Sequence, residues 1–237
     1  MTLRFNIFFM KMGFAFSLFL IISGCSTIDL SKYEEASKSW EKEIQQLEAK
    51  DKTEKDPDNA ILFTGSSSIR LWKTIATDMQ PYTVIQRGFG GSKFSDLYFY
   101  TERIVKPHDF RAVVIFVAND ISGSNLDRTP KEVAATFQEI VKKIRAMKPP
   151  TPIFIIEITP TNSRWKVWPQ IQEANNLMKK ACRKFKDVHF IETGAAYLDE
   201  KRLPRSDLFI KDQLHQNEEG YKIWTAIIKK RLDEVLK

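Results

Sequence analysis

Beyond residue 59 the chain carries five short apolar runs, each closed by small or polar residues. They are AILFTG (60–65), YTVIQRG (82–88), RAVVIFVA (111–118), TPIFIIEIT (151–159) and DVHFIET (187–193). Runs of this length, rich in Ile, Val and Phe, predict strands. Between them apolar residues recur at helical spacing, around 67–77, 93–104, 130–147 and 168–185, and a last helix is expected at 217–236. The strand runs are almost continuously apolar, as suits strands covered on both faces. Strands alternating with helices therefore predict an α/β domain, a parallel sheet between two helical layers. Ahead of it, residues 31–50 predict an amphipathic helix with Tyr33, Trp40, Ile44 and Leu47 near helical spacing, and DKTEKDPDN then breaks the pattern.

The first 24 residues do not belong to that scheme. Arg4 and Lys11 flank an apolar start, a mainly apolar run follows from Met12 to Ile22, and small residues close it. This is the layout of an export signal, and the run is short for a membrane span. Its end, IISGC, resembles a bacterial lipobox, which implies cleavage before Cys25 and acyl chains on that residue. Several chains bury enough methylene groups for stable anchoring. The expected organisation is a lipoprotein-type signal peptide over 1–24, an N-terminal helical segment and linker over 25–58, and one domain over 59–237. The expected location is the cell envelope, anchored to membrane through Cys25. Ser26, where such lipoproteins carry Asp for inner-membrane retention, points to the outer membrane in a Gram-negative host.

Composition narrows the chemistry. A chain of 237 residues, 43% hydrophobic and 28% charged, can bury a core without disulfides. Its two cysteines, Cys25 and Cys182, are too few and too distant for a zinc framework. The formal charge is +7, and removing Arg4 and Lys11 with the signal leaves +5. The remaining cations are mixed with acids, so no nucleic-acid partner is expected. Any reaction needing an imidazole must use His108, His189 or His215.

In parallel α/β sheets, sites form beyond the carboxyl ends of the strands. The segments there are GSSS, GFGGS, NDISGSN and TPTNSRW, and late in the chain IKDQLHQNEEGY. Taken singly, each has a plain structural reading. A serine at a helix start can be an N-cap, glycines serve turns, and an Asn can cap. Asp212 and His215, three residues apart, are close enough for a carboxylate to orient an imidazole, or can be two surface groups.

Together, and in this order, Gly-x-Ser, Gly, Asn and Asp-x-x-His resemble the SGNH hydrolases, also called the GDSL lipase/acylhydrolase family, over about residues 60–232. The resemblance implies a flavodoxin-like three-layer α/β/α sandwich with a five-stranded parallel sheet. It also implies ester hydrolysis without metal or cofactor. Residue by residue, it implies Ser67 as nucleophile, His215 as base and Asp212 as its orienter. The oxyanion hole would comprise the Ser67 and Gly91 backbone N–H groups and the Asn119 side chain. Two departures stand out. Ser66 occupies the family's aspartate position, and Val117 replaces a glycine and is expected to narrow the pocket beside the oxyanion. His108 and His189 fall at structural positions. Trp165 and Trp168, after the fourth run, are candidates to stack on a sugar ring or to pack the following helix. The expected substrate is a short-chain ester, including O-acetyl groups on carbohydrates. The competing expectation is a non-catalytic binding or scaffold lipoprotein of the same fold.

Overall fold

The computed structural model describes Met1 and residues 28–236. Apart from Met1, the expected signal over 1–24 and the lipidation site Cys25 lie outside the described residues. Five strands form one sheet: β1 (Ile61–Gly65), β2 (Val84–Gly88), β3 (Ala112–Phe116), β4 (Ile153–Ile156) and β5 (Val188–Ile191). Their order is β2-β1-β3-β4-β5, and every pairing is parallel. Each of the five apolar runs contains one strand, and the sheet is the predicted one. Beyond their carboxyl ends, the chain leaves β1 and β3 in opposite directions, and a crevice opens at that switch point.

Alternation along the strands sorts the core into two layers. Leu62, Val113, Ile115, Ile153 and Ile155 face one side, under α5 (Phe94–Val105), α6 (Pro130–Met147) and α7 (Trp168–Cys182). Ile61, Phe63, Val114, Phe116, Phe154 and Ile156 face the other. There they meet α3 (Ser67–Leu71) and α8 (Glu218–Leu236), with Trp72 and Trp224 among the largest fully buried side chains. The α6 start is legible in TPKE: Pro130 opens the helix, the Thr129 hydroxyl accepts the Glu132 N–H, and Glu132 accepts the Thr129 N–H.

Two expected helices are broken. The span 67–77 becomes α3 and, after Trp72, α4 (Ile75–Asp78). The Trp72 indole donates to Asp78 at 2.6 Å, and Gln86 from β2 donates to the carbonyls of Ile69 and Trp72, so side chains take over from the helical ladder. The span 31–50 becomes α1 (Glu34–Ser37) and α2 (Glu41–Asp51), joined by a tighter 3-10 turn at Lys38–Trp40. Ser37 and Ser39 hydroxyls bond backbone carbonyls of Tyr33 and Ala36 there, which competes with the regular helix. The predicted face still docks: Ile44 is fully buried, and Trp40 and Leu47 pack on the core.

His108 is buried between Asp51 and Asp56, with ring nitrogens 3.3 and 2.9 Å from their carboxylates. His189 lies on β5 beside Arg231, and burial lowers its pKa. Cys182 is a buried core thiol, pushed up to about 12 by burial. Both histidines have the structural places expected of them.

Candidate active site

The site begins where β1 ends. Gly65 has φ +124, and a Cβ there would lie 1.9 Å from the Phe116 carbonyl oxygen of β3. Only glycine permits both the turn and the approach. The Ser66 N–H then donates to that same carbonyl at 2.8 Å, so the chain swings out and α3 starts at Ser67. Ser66 has N-cap geometry, yet its side chain makes no capping bond. Tyr221 of α8 donates to the Ser68 carbonyl at 2.9 Å and pins the turn from the other side.

The three serines thus have different surroundings, and only one meets an imidazole. The Ser67 Oγ is 2.9 Å from the His215 Nε2. The His215 Nδ1 is 2.6 Å from the Asp212 Oδ2. The other carboxylate oxygen, Oδ1, accepts the backbone N–H groups of Leu214 and His215, each at 2.9 Å. Burial raises the Asp212 pKa, but the hydrogen bonds from the His215 ring and these backbone groups outweigh it and hold the carboxyl below its ordinary value. Asp212 is thereby fixed as an anion with one oxygen tied to backbone and the other aimed at the imidazole. That demands a proton on Nδ1 and leaves the Nε2 lone pair toward Ser67.

The other predicted residues converge from β2 and β3. A Cβ on Gly91 would come within 2.8 Å of the Asn119 Nδ2, so the loop after β2 touches the Asn119 amide. Neither the Ser67 N–H nor the Gly91 N–H has a hydrogen-bond partner among the described residues. Ser67 and Asn119 border one small cavity of about 20 Å³, also lined by Ser66, Thr159, Arg164 and Leu214. Two much larger grooves, about 870 and 620 Å³, lie against α8 and β5 and hold none of these residues. Chemistry rather than volume identifies the site.

Val117 departs from its expected effect. Its side chain is fully buried in the core under α5 and α6, while its neighbours Phe116 and Ala118 line the cavity. Strand alternation carries it to the opposite face from the pocket. The tryptophans stack on each other, ring centres 5.9 Å apart and planes 16° apart. Trp168 also packs on the core. Their turn is tied to the loop of His215, since Asn162 donates to the Gln213 side chain at 2.8 Å and the Ser163 N–H to its carbonyl at 3.2 Å.

One residue was not anticipated. Arg164 is buried, and its guanidinium donates to the Ala118 carbonyl and to the Asn119 Oδ1. With the amide oxygen occupied by a cation, the Asn119 amide can only turn its Nδ2 toward Gly91. A cation on Oδ1 also polarises the amide and strengthens the N–H as a donor. Its neighbour Asp120 is buried, accepts the Phe94 N–H at the start of α5 and is pushed up to about 7 by burial.

A nucleophile, a base with its orienter, and free N–H donors are what acyl transfer requires. Among the described residues, no group of three or more His, Cys, Asp or Glu could hold a metal ion. The fold matches solved structures. A GDSL-like lipase from Bacteroides thetaiotaomicron is 16% identical, with 81% of this chain and 97% of that chain covered and a TM-score of 0.68. A lipase/acylhydrolase from Enterococcus faecalis is 17% identical, with coverages of 74% and 96% and a TM-score of 0.57. An acetyl xylan esterase from Geobacillus stearothermophilus is 16% identical, with coverages of 76% and 95% and a TM-score of 0.59. No curated protein matches the chain in sequence. A sequence model of the GDSL-like Lipase/Acylhydrolase family matches residues 53–223, from the linker through Asp212 and His215 into α8, and the chain belongs to that family.

Proposed function

We propose that the protein is a serine esterase that removes short acyl groups, acetyl foremost, from a carbohydrate or other polar alcohol. The observation that carries this is the relay from Ser67 Oγ through His215 to Asp212, at 2.9 and 2.6 Å. Ser67 Oγ attacks the ester carbonyl while His215 Nε2 takes its proton. The oxygen of the tetrahedral intermediate takes hydrogen bonds from the Ser67 and Gly91 N–H groups and the Asn119 Nδ2. Removing one such donor typically costs about 3–4 kcal/mol of transition-state stabilisation. The intermediate collapses by expelling the alcohol oxygen, which receives the proton from His215. Water then gives a proton to His215 and its oxygen to the acyl carbon. The acid leaves, and the proton returns to Ser67. A protein that only bound its ligand would need no such relay.

The small size of the cavity beside Ser67 supports the short-acyl reading. The cavity beside Ser67, about 20 Å³, admits one water-sized group, the bulk of an acetyl methyl. Acetyl xylan esterases among the structural neighbours support a sugar on the alcohol side, as does the half-buried Trp165–Trp168 pair beside the His215 loop. With p-nitrophenyl acetate, butyrate, octanoate and palmitate, kcat/KM should be highest for acetate or butyrate and fall at octanoate. A rise through octanoate would refute the short-acyl reading.

The same proposal places the enzyme in the cell envelope, held by acyl chains on Cys25. Leu30, the first buried residue of the N-terminal segment, is five residues on, which at about 3.5 Å per residue would keep its docking point within roughly 18 Å of the acylated residue. Metabolic labelling with an alkyne fatty acid should mark the wild type and not Cys25→Ala. Equal labelling of both would exclude the anchor.

A further inference from the structure

The N-terminal segment passes over the loop between β2 and α5. It crosses the helical layer on polar pins. Tyr33 donates to Glu132 at the start of α6, and Ser37 to Asp96 in α5. Arg103 of α5 binds both Glu41 and Glu48 of the segment. These contacts fix where Trp40 and Glu43 fall, and both fall on the loop between β2 and α5. The Glu43 carboxylate accepts the Gly90 N–H at 2.7 Å. The Trp40 ring lies against the same residue, since a Cβ on Gly90 would sit 1.8 Å from Trp40 Cζ3. Gly90 has φ +37, so the ring and the backbone shape both require glycine there. Trp40 also meets the Phe89 ring edge-on, with centres 6.1 Å apart.

Gly90 immediately precedes Gly91, whose N–H has no partner among the described residues and whose Cα adjoins the Asn119 amide. The carboxylate bond fixes the Phe89–Gly90 peptide, and the ring blocks its outward movement. Together they determine the direction of the next peptide, which carries the Gly91 N–H. A donor aimed before reaction needs no reorganisation when charge develops. The family match begins only at residue 53, after both side chains.

We propose that Trp40 and Glu43 are positioning residues for catalysis, holding the Phe89–Gly91 loop so that the Gly91 N–H meets the oxyanion. The segment that precedes the hydrolase domain is on this view part of its active site. The proposal rests on the esterase reading, because the oxyanion is that reaction's intermediate.

Full-length Glu43→Ala, Glu43→Gln and Trp40→Ala are compared with the wild type and with Lys42→Ala, a change at an exposed neighbour. Two quantities are measured: steady-state kinetics on p-nitrophenyl acetate, and amide hydrogen exchange in peptides spanning 89–92. Misaiming one donor should cost less than deleting it, so kcat should fall about tenfold in Glu43→Ala and Trp40→Ala, with KM within about twofold. Exchange at 89–92 should quicken in both. Glu43→Gln, which keeps an acceptor oxygen, should recover most of kcat, and Lys42→Ala should match the wild type. The proposal is overturned if both alanine variants keep kcat within twofold, if kcat falls without faster exchange at 89–92, or if Glu43→Gln is no better than Glu43→Ala. A wild type that hydrolyses no ester would overturn the esterase reading instead, and faster exchange in Glu43→Ala would then still support the brace.

Discussion

Ser67→Ala should abolish ester hydrolysis, lowering kcat by about 10⁴-fold or more, while Ser66→Ala and Ser68→Ala retain measurable turnover. The three hydroxyls are adjacent in sequence but not in function. Ser67 alone has an imidazole nitrogen at 2.9 Å. Ser66 is the last residue before α3, and its backbone is committed to the Phe116 carbonyl. Ser68 is held through its own carbonyl by Tyr221. Neither can reach His215 without undoing the turn that Gly65 imposes. The substitution is also mild for the fold, because it removes one oxygen and leaves the helix start intact. A fluorophosphonate probe followed by peptide mass spectrometry locates the nucleophile independently of turnover. The adduct should fall on Ser67, and an adduct on Ser66 or Ser68 would overturn the assignment.

Much of this site is legible in the sequence. Each apolar run in the sequence holds one strand, and Ser67, Gly91 and Asn119 sit just past a run, while Asp212 and His215 come from the loop ahead of α8. A parallel sheet brings all those strand ends to one side, which is why residues 67, 91 and 119 meet. Helix lengths were less legible. The pattern from 67 to 77 is helical in period, but the Trp72 indole and Gln86 amide form bonds across elements that no local pattern records. Val117 was misjudged for a related reason. Its family position suggested the pocket, and only its place in the strand alternation reveals that it faces the core.

Arg164 and the pair Trp40 and Glu43 were missed for another reason. Arg164 sits in TPTNSRW, already marked as a strand-end segment, and a buried cation there can be guessed but not aimed. What it holds is a side chain 45 residues away in sequence. Trp40 appeared as one member of an amphipathic face, and that reading is correct for docking. Its second role depends on where Gly90 lies across the helical layer, 47 residues on from Glu43. Residues that touch the reacting atoms carry distinctive types and spacings. Residues that aim them are ordinary in type, and only tertiary contact distinguishes them.

His215→Ala should lower kcat about as far as Ser67→Ala, because the two act as one unit. The sharper test is the orienter. Asp212 Oδ1 is tied to the N–H groups of Leu214 and His215, and Oδ2 faces the imidazole. In Asp212→Asn, the side chain retains a single acceptor oxygen, and two backbone donors claim it. The amide nitrogen must then face His215 Nδ1 as a donor. The imidazole responds by moving its proton to Nε2, where the base is needed, so the wrong tautomer is locked in. A cost of about 10³–10⁴-fold in kcat is expected, in line with the penalty a trapped tautomer carries in a Ser-His-Asp triad. Asp212→Ala removes the orienter without imposing the wrong tautomer, and should be milder than Asp212→Asn at neutral pH. Steady-state kinetics on p-nitrophenyl acetate, with thermal melts to check folding, decide the order. Asp212→Asn milder than Asp212→Ala, in two folded proteins, would overturn the trapped-tautomer account, since both variants lack the charge.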